Sequence, residues 1–267
     1  MKSDSKSKDG KMSNSRISFV SICLLFLMLW APLGQYNFLI ENWMKVGIYV
    51  VPFLLFMFFS CTTEISQVKL MSVLMLVAYI IHQYEEHWVD LLGNQYAFYG
   101  YINELFLDVL NAENTNIILL SRKSIFFINT SLVWLIGTIA IWRSPGHLFP
   151  SLAMAGIILV NAVTHIMAGI LKQSYNPGLL TAIVIFIPLA IAFYRSILVT
   201  EPAMTIQVKA SIAWAVFAHI LMFGGLLAAK WFQLFPEYVY FAALIVWSVI
   251  PVFLFNPALG LSRGVGE

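Results

Sequence analysis

The sequence predicts an all-α protein, a polytopic transmembrane helical bundle of about eight spans (seven to eight). Three observations lead there. Of 267 residues, 60% are apolar and only 10% charged, whereas a soluble domain carries about 25% charged residues. The apolar residues gather into runs of the roughly 20 that a helix needs to cross a bilayer. Turn signals separate the runs: Ala31-Pro32-Leu33-Gly34, Ser144-Pro145-Gly146, Asn176-Pro177-Gly178 and Glu201-Pro202.

Residues 1–16 are polar and hold five of the fifteen basic residues, the composition of a disordered cytoplasmic tail. The run after it reads as a signal anchor rather than a cleaved signal peptide, since no small-x-small site follows Trp30. The transmembrane domain covers 17–258, with spans at about 17–33, 45–61, 69–88, 124–142, 148–171, 178–198, 208–229 and 238–256; 259–267 is a short C-terminal tail. Pro52, Pro188 and Pro251 fall inside spans, where neighbouring helices can satisfy the freed carbonyls. Trp30, Trp43, Trp88, Trp142 and Trp231 cluster at span ends as an aromatic belt. The one long connection, 89–123, contains an amphipathic stretch at 97–111 suited to lie at the interface and cap a site.

Placing the N-terminus in the cytoplasm puts ten basic residues inside and five outside. That imbalance predicts a multi-pass cell-membrane protein with both termini cytoplasmic. The net charge of +2 gives no footing for nucleic acid. The two cysteines, Cys23 and Cys61, form neither a disulfide framework nor a thiolate metal site. The expected partners are membrane lipid and a lipophilic small molecule.

The chemistry concentrates in YIIHQYEEHWVD, residues 79–90. An ionisable residue within a span costs about 2.5–3.5 kcal/mol on insertion scales and calls for a partner or a task. His82, Glu85 and Glu86 stand at i, i+3 and i+4, on one helical face. His87, Trp88 and Asp90 read as the point where the helix leaves the membrane. The fifth span carries Asn161 and His165 at i, i+4, the fourth opens near Asn129, and Tyr175 precedes the sixth. There Asn176 is placed to cap the sixth helix, Pro177 to open it, and Thr181 lies one turn inside. Alternating spans bring all of these to one depth, whichever way the protein is inserted.

Two imidazoles and two carboxylates suit a divalent metal, zinc or non-haem iron. His82, His165 and Glu85 are the candidate ligands, and Glu86, with Glu85, the candidate catalytic carboxylate. Asn161, Asn129, Thr181 and Tyr175 are candidates to support them. The zinc-protease patterns HExxH and HxxEH are absent.

The stretch His82-Gln83-Tyr84-Glu85-Glu86 resembles the motif of a family of bacterial membrane proteins named HXXEE. The resemblance extends through FFINTSLVW (126–134), Asn161 with His165, and Tyr175-Asn176-Pro177-Gly178 with Thr181, about residues 70–185. It implies that these residues form one site, and it implies no reaction.

His147 reads as solvated in a short loop, His219 as a packed histidine, and Gly224-Gly225 as close helix packing rather than a nucleotide loop. Three functional classes stay open: a metal-dependent membrane enzyme on a lipid-soluble or amphipathic small molecule, a proton-coupled transporter or permease, and a non-catalytic membrane scaffold. The absence of an internal repeat counts against the transporter.

Overall fold

The computed structural model describes residues 36–60, 65–112, 117–144 and 146–256. The expected tail at 1–16, first span at 17–33 and C-terminal tail at 259–267 lie outside the described residues. Among those described there are eight helices and no sheet. They are α1 Tyr36–Ser60, α2 Gln67–His87, α3 Ala97–Val109, α4 Arg122–Arg143, α5 Phe149–Lys172, α6 Leu179–Thr200, α7 Thr205–Lys230 and α8 Glu237–Val249.

Five of these helices, α1, α4, α5, α6 and α7, are long and apolar enough to cross a membrane. The other two expected spans are present as helices but differ in kind. α2 carries the ionisable residues of its C-terminal half, and α8 with its terminal 3₁₀ turn is short, at Glu237–Val252.

Local chemistry starts and stops these helices. Ser66 accepts from Lys69 N (3.2 Å) at the start of α2, and Ser121 accepts from Ser124 N (3.0 Å) at the start of α4. Small residues let α5 and α7 approach. A Cβ on Gly156 would stand 2.7 Å from Ser211 O, and Ala153, Ala155, Ala162, Ala215 and Ala218 are fully buried around it. Gly225 likewise takes the Tyr240 ring at close range, whereas Gly224 faces open space.

The stretch expected to be amphipathic is α3. It is tied down at its middle and near its C-terminal end: Asn103 exchanges bonds with the backbone of Leu120, and Lys172 Nζ lies 2.8 Å from Asp108 Oδ2. Tyr101 OH donates to Ala168 O (2.9 Å), fastening α3 to α5.

α4 and α6 each contain a π-helical segment, Asn129–Trp134 and Ala182–Phe186. One begins at a candidate site residue and the other directly after Thr181. Such segments recur at functional sites, because the wider turn re-aims side chains on one side of it.

His147 is not solvated. It is buried, and its Nε2 donates to Leu254 O at 2.8 Å, stapling the α4–α5 turn to the chain beyond α8. Burial holds its imidazole below the ordinary value of 6.5.

Candidate functional site

The site is built on the last two turns of α2. His82 and Glu86, one turn apart, point the same way, toward α5 and the start of α6. Glu86 Oε2 lies 3.4 Å from His82 Nε2, and Glu86 Oε1 lies 3.4 Å from His165 Nε2. His82, Glu86 and His165 are all buried, and one donor atom from each lies within 4.8 Å of the others. These three could hold a metal ion.

Hydrogen bonds on the far side of each imidazole set its tautomer. His82 Nδ1 is 2.8 Å from Thr181 Oγ1, whose single proton goes to Glu85 Oε2; the hydroxyl therefore accepts, and Nδ1 carries the hydrogen. His165 Nδ1 is 2.7 Å from Asn176 Oδ1. The orientation of that amide is fixed because its Nδ2 donates to His165 O at 2.9 Å. Both imidazoles, when neutral, thus aim an Nε2 lone pair at the same carboxylate, and His82 Nε2 has no partner. Lone pairs do not face a carboxylate without a positive charge between them. A distance of 3.4 Å is long for a hydrogen bond, which prefers about 2.7–3.2 Å. Ligand bonds of about 2.0–2.1 Å set two donors on a tetrahedral ion about 3.3 Å apart, and each imidazole keeps close to that distance from its own oxygen of Glu86.

Glu85, expected as a ligand, is not part of this group. It accepts from Thr181 N (2.9 Å), Leu180 N (3.3 Å), Thr181 Oγ1 (2.5 Å) and Tyr175 OH (2.9 Å). Its carboxylate caps α6, taking the amides that the first turn of a helix leaves unpaired, at the positive end of the helix dipole. The expected cap, Asn176, instead clasps His165. Both assignments turn on the same fact: α6 starts at Leu179, with Gly178 rather than Asn176 immediately before it.

Gly178 explains how α6 comes so close. Its φ is +91°, and a Cβ there would stand 2.8 Å from Cε1 of both His82 and His165. The backbone of this turn is one wall of the site.

His87, read from the sequence as border, is a fourth member of the cluster. It is buried, with Nε2 3.0 Å from Glu86 Oε2 and 3.2 Å from Asn129 Nδ2. Carrying a proton, Nε2 donates to the carboxylate; without one, it accepts from the amide. Asn129 is held by Gln83, whose Nε2 donates to Asn129 Oδ1 (2.8 Å) and whose Oε1 accepts from Trp134 Nε1 (2.8 Å). Gln83 and Trp134 lie within the stretches quoted from the sequence, but neither carries a charge or ligand chemistry that would mark it as part of the site. Asp90 lies beyond the end of α2, where its carboxylate accepts from Leu92 N and Asn94 N and shapes the turn.

Tyr175 joins the site to that turn, accepting from Leu91 N (3.0 Å) while donating to Glu85. Burial pushes its phenol up, the bond from Leu91 N pulls it partly back, and the Glu85 carboxylate raises it again, so it stays protonated.

Beside the cluster lies a cavity of about 320 Å³. Glu86, His87, His165, Asn129, Asn161 and Asn176 reach its polar side, and Phe98, Ile102, Leu105 and Phe106 of α3 form part of its apolar wall. Phe98 packs on His87 and His165 at ring-centroid distances of 5.0 and 6.1 Å, so α3 does cover the site. Asn161 is buried on that wall with its Oδ1 unpartnered, and His219 of α7 also lines the cavity.

Residues 73–193 match the model of a family described as a protein of unknown function with HXXEE motif. The matched segment runs from α2 into α6 and contains every residue of the cluster. No curated protein and no solved structure matches the chain.

Proposed function

From the premise that residues 73–193 belong to the HXXEE-motif family, we propose that the chain is a multi-pass membrane protein with a metal-dependent site that acts on a lipophilic small molecule. His82, His165 and Glu86 hold the ion, and zinc fits them best, with iron the alternative. The observation that carries the reading is the pair of 3.4 Å approaches, in which two imidazole lone pairs meet the two oxygens of one carboxylate. Without an ion, the two approaches need protons on the imidazole Nε2 atoms or on Glu86, and 3.4 Å is long for the hydrogen bonds that would result.

Three protein ligands leave a position for water or substrate, and a bound ion there supplies Lewis-acid polarisation and an acidified water. His87, beside Glu86 and able to exchange Asn129 for the carboxylate, is placed to hold or pass a proton. Thr181 and Asn176 orient the two ligand imidazoles. Glu85, given above as a possible ligand and catalytic carboxylate, acts here through Thr181 as a positioning residue.

Seven described helices, α1, α2 and α4 to α8, correspond to seven of the eight expected spans. With both termini cytoplasmic, the cluster lies toward the outer face, the arrangement that the distribution of basic residues favours.

Elemental analysis of detergent-purified protein tests the reading. Wild type is expected to carry zinc or iron in stoichiometric amount and Glu86→Gln to lose it. Equal, negligible metal in wild type and variant sinks the proposal.

One observation favours a proton-coupled transporter instead. His82, Thr181, Glu85 and Tyr175 form an unbroken hydrogen-bonded chain from the buried cluster to the turn after α2. That reading requires a pH-driven flux in proteoliposomes that persists without metal and disappears in Glu85→Gln.

A further inference from the structure

Two polar side chains in the cavity wall are not used by the metal cluster. Asn161 Oδ1 is buried in that wall and finds no partner. An unsatisfied buried polar atom costs about 1–3 kcal/mol, so an occupant is called for. His219 is the second. Its Nδ1 lies 2.8 Å from Ala215 O, a carbonyl that can only accept, so Nδ1 carries the ring hydrogen. Nε2 is then left as a lone pair, and no described residue bonds it. His219 is buried and lines the same cavity. Neither residue is needed to hold an ion at Glu86.

Away from these two and the polar side at Glu86, most of the wall is apolar, and the cavity opens on the side of the bundle. Val163 and Met167 of α5 line the cavity and are each 49% exposed, and Val109 at the end of α3 is exposed beside them. A molecule arriving through this opening comes from the layer that α5 faces. A volume of about 320 Å³ falls at the small end of the roughly 300–1,000 Å³ found for small-molecule sites.

We propose that this cavity takes a hydroxyl-bearing lipophile: an apolar body entering between α3 and α5, with a diol head that donates to His219 Nε2 and bonds the Asn161 amide. His219 Nε2 can only accept, so the head carries a hydroxyl hydrogen rather than ether or ester oxygens alone. The Asn161 amide, with neither its oxygen nor its nitrogen bonded among the described residues, suits a second hydroxyl, which both donates and accepts. The arrangement brings the head alongside Glu86 and His165, and it deepens the reading given above by naming what the metal site acts on.

The probe is a long-chain vicinal diol bearing a diazirine and an alkyne, with its dimethyl ether as the control that lacks donors. Both are photolysed with the full chain in detergent, the labelled peptides are mapped by mass spectrometry, and metal is measured on the same samples. Saturable labelling is expected within 98–106, 157–168 and 219–226. The diol should reach half-maximal labelling at roughly three- to tenfold lower concentration than the ether, the range of a neutral hydrogen bond. Asn161→Leu and His219→Leu should each narrow that gap while leaving metal content unchanged. Val163→Trp, a change at the exposed mouth that leaves the interior packing alone, should abolish labelling of all three segments.

Labelling spread over the outer surface, equal for diol and ether and indifferent to Val163→Trp, overturns the proposal even when metal is present. Localised, diol-selective labelling of a protein that carries no metal upholds the proposal and sinks the metal reading instead.

Discussion

Thr181 Oγ1 lies 2.8 Å from His82 Nδ1, and this one bond decides which nitrogen of the imidazole faces Glu86. The hydroxyl can accept only because its own proton is committed to Glu85. A residue of α6 thereby sets the donor atom of a residue on α2.

Thr181→Val keeps the shape and removes that acceptor. The His82 tautomer is then free, and metal affinity should fall by about 10–100-fold, the usual cost of losing the partner of a ligand histidine. Competition with a chromophoric chelator measures it. Thr181→Ser should retain most of the affinity; equal loss in both variants would point to packing instead.

The two neighbouring glutamates should separate cleanly. Glu86→Gln should lose the metal. Glu85→Gln should keep it but lower stability, since an amide nitrogen would face donors at the start of α6. The expected cost is about 1–3 kcal/mol, read as a lower thermal midpoint in detergent. The opposite pattern, metal lost in Glu85→Gln and kept in Glu86→Gln, would restore Glu85 as the ligand.

Gly178→Ala tests the backbone wall. Left-handed φ costs a residue with a Cβ about 1–2 kcal/mol, and that Cβ would meet both imidazoles at 2.8 Å. Lower stability and reduced metal content are expected together. Normal metal content in this variant would mean that the turn does not press on the site.

His147 gives a pH dependence at the opposite end of α5. Burial holds its folded-state pKa below the ordinary 6.5. Above that pH the ring is neutral both folded and unfolded, and no stability is lost. As the pH falls below 6.5 the unfolded chain takes up the proton first, so stability declines until the folded-state pKa is passed. The thermal midpoint of wild type should therefore drop between neutral and mildly acidic pH by more than that of His147→Gln. Parallel curves for the two proteins would refute this assignment.

The helical bundle was legible because a bilayer-length apolar run has few other uses, and seven of the expected spans appear as helices close to their expected positions. The convergence of His82, His165, Asn129 and Thr181 followed from the alternation of spans. The choice between Glu85 and Glu86 did not. Both fit a face shared with His82, and what separates them is a pair of amides at Leu180 and Thr181, groups that every residue carries and no side-chain pattern reveals. His87 was set aside because five residues of α-helix rotate it about 140° from His82. It reaches Glu86 as an immediate neighbour, not as a member of the same stripe. The π segment at Asn129–Trp134 was equally hidden, since one wider turn leaves composition and mean hydropathy unchanged.

Those wider turns carry a consequence for how the protein can vary. A π segment shifts the helical phase, so the residues beyond it are no longer in step with those before it. In α6, Thr181 stands on one side of such a shift and the long apolar stretch to Thr200 on the other. In α4, Asn129 sits at the start of the shift, with Leu135–Arg143 beyond it. The distal halves can therefore be rotated or repacked to suit a different neighbour or bilayer while Thr181 and Asn129 keep their aim.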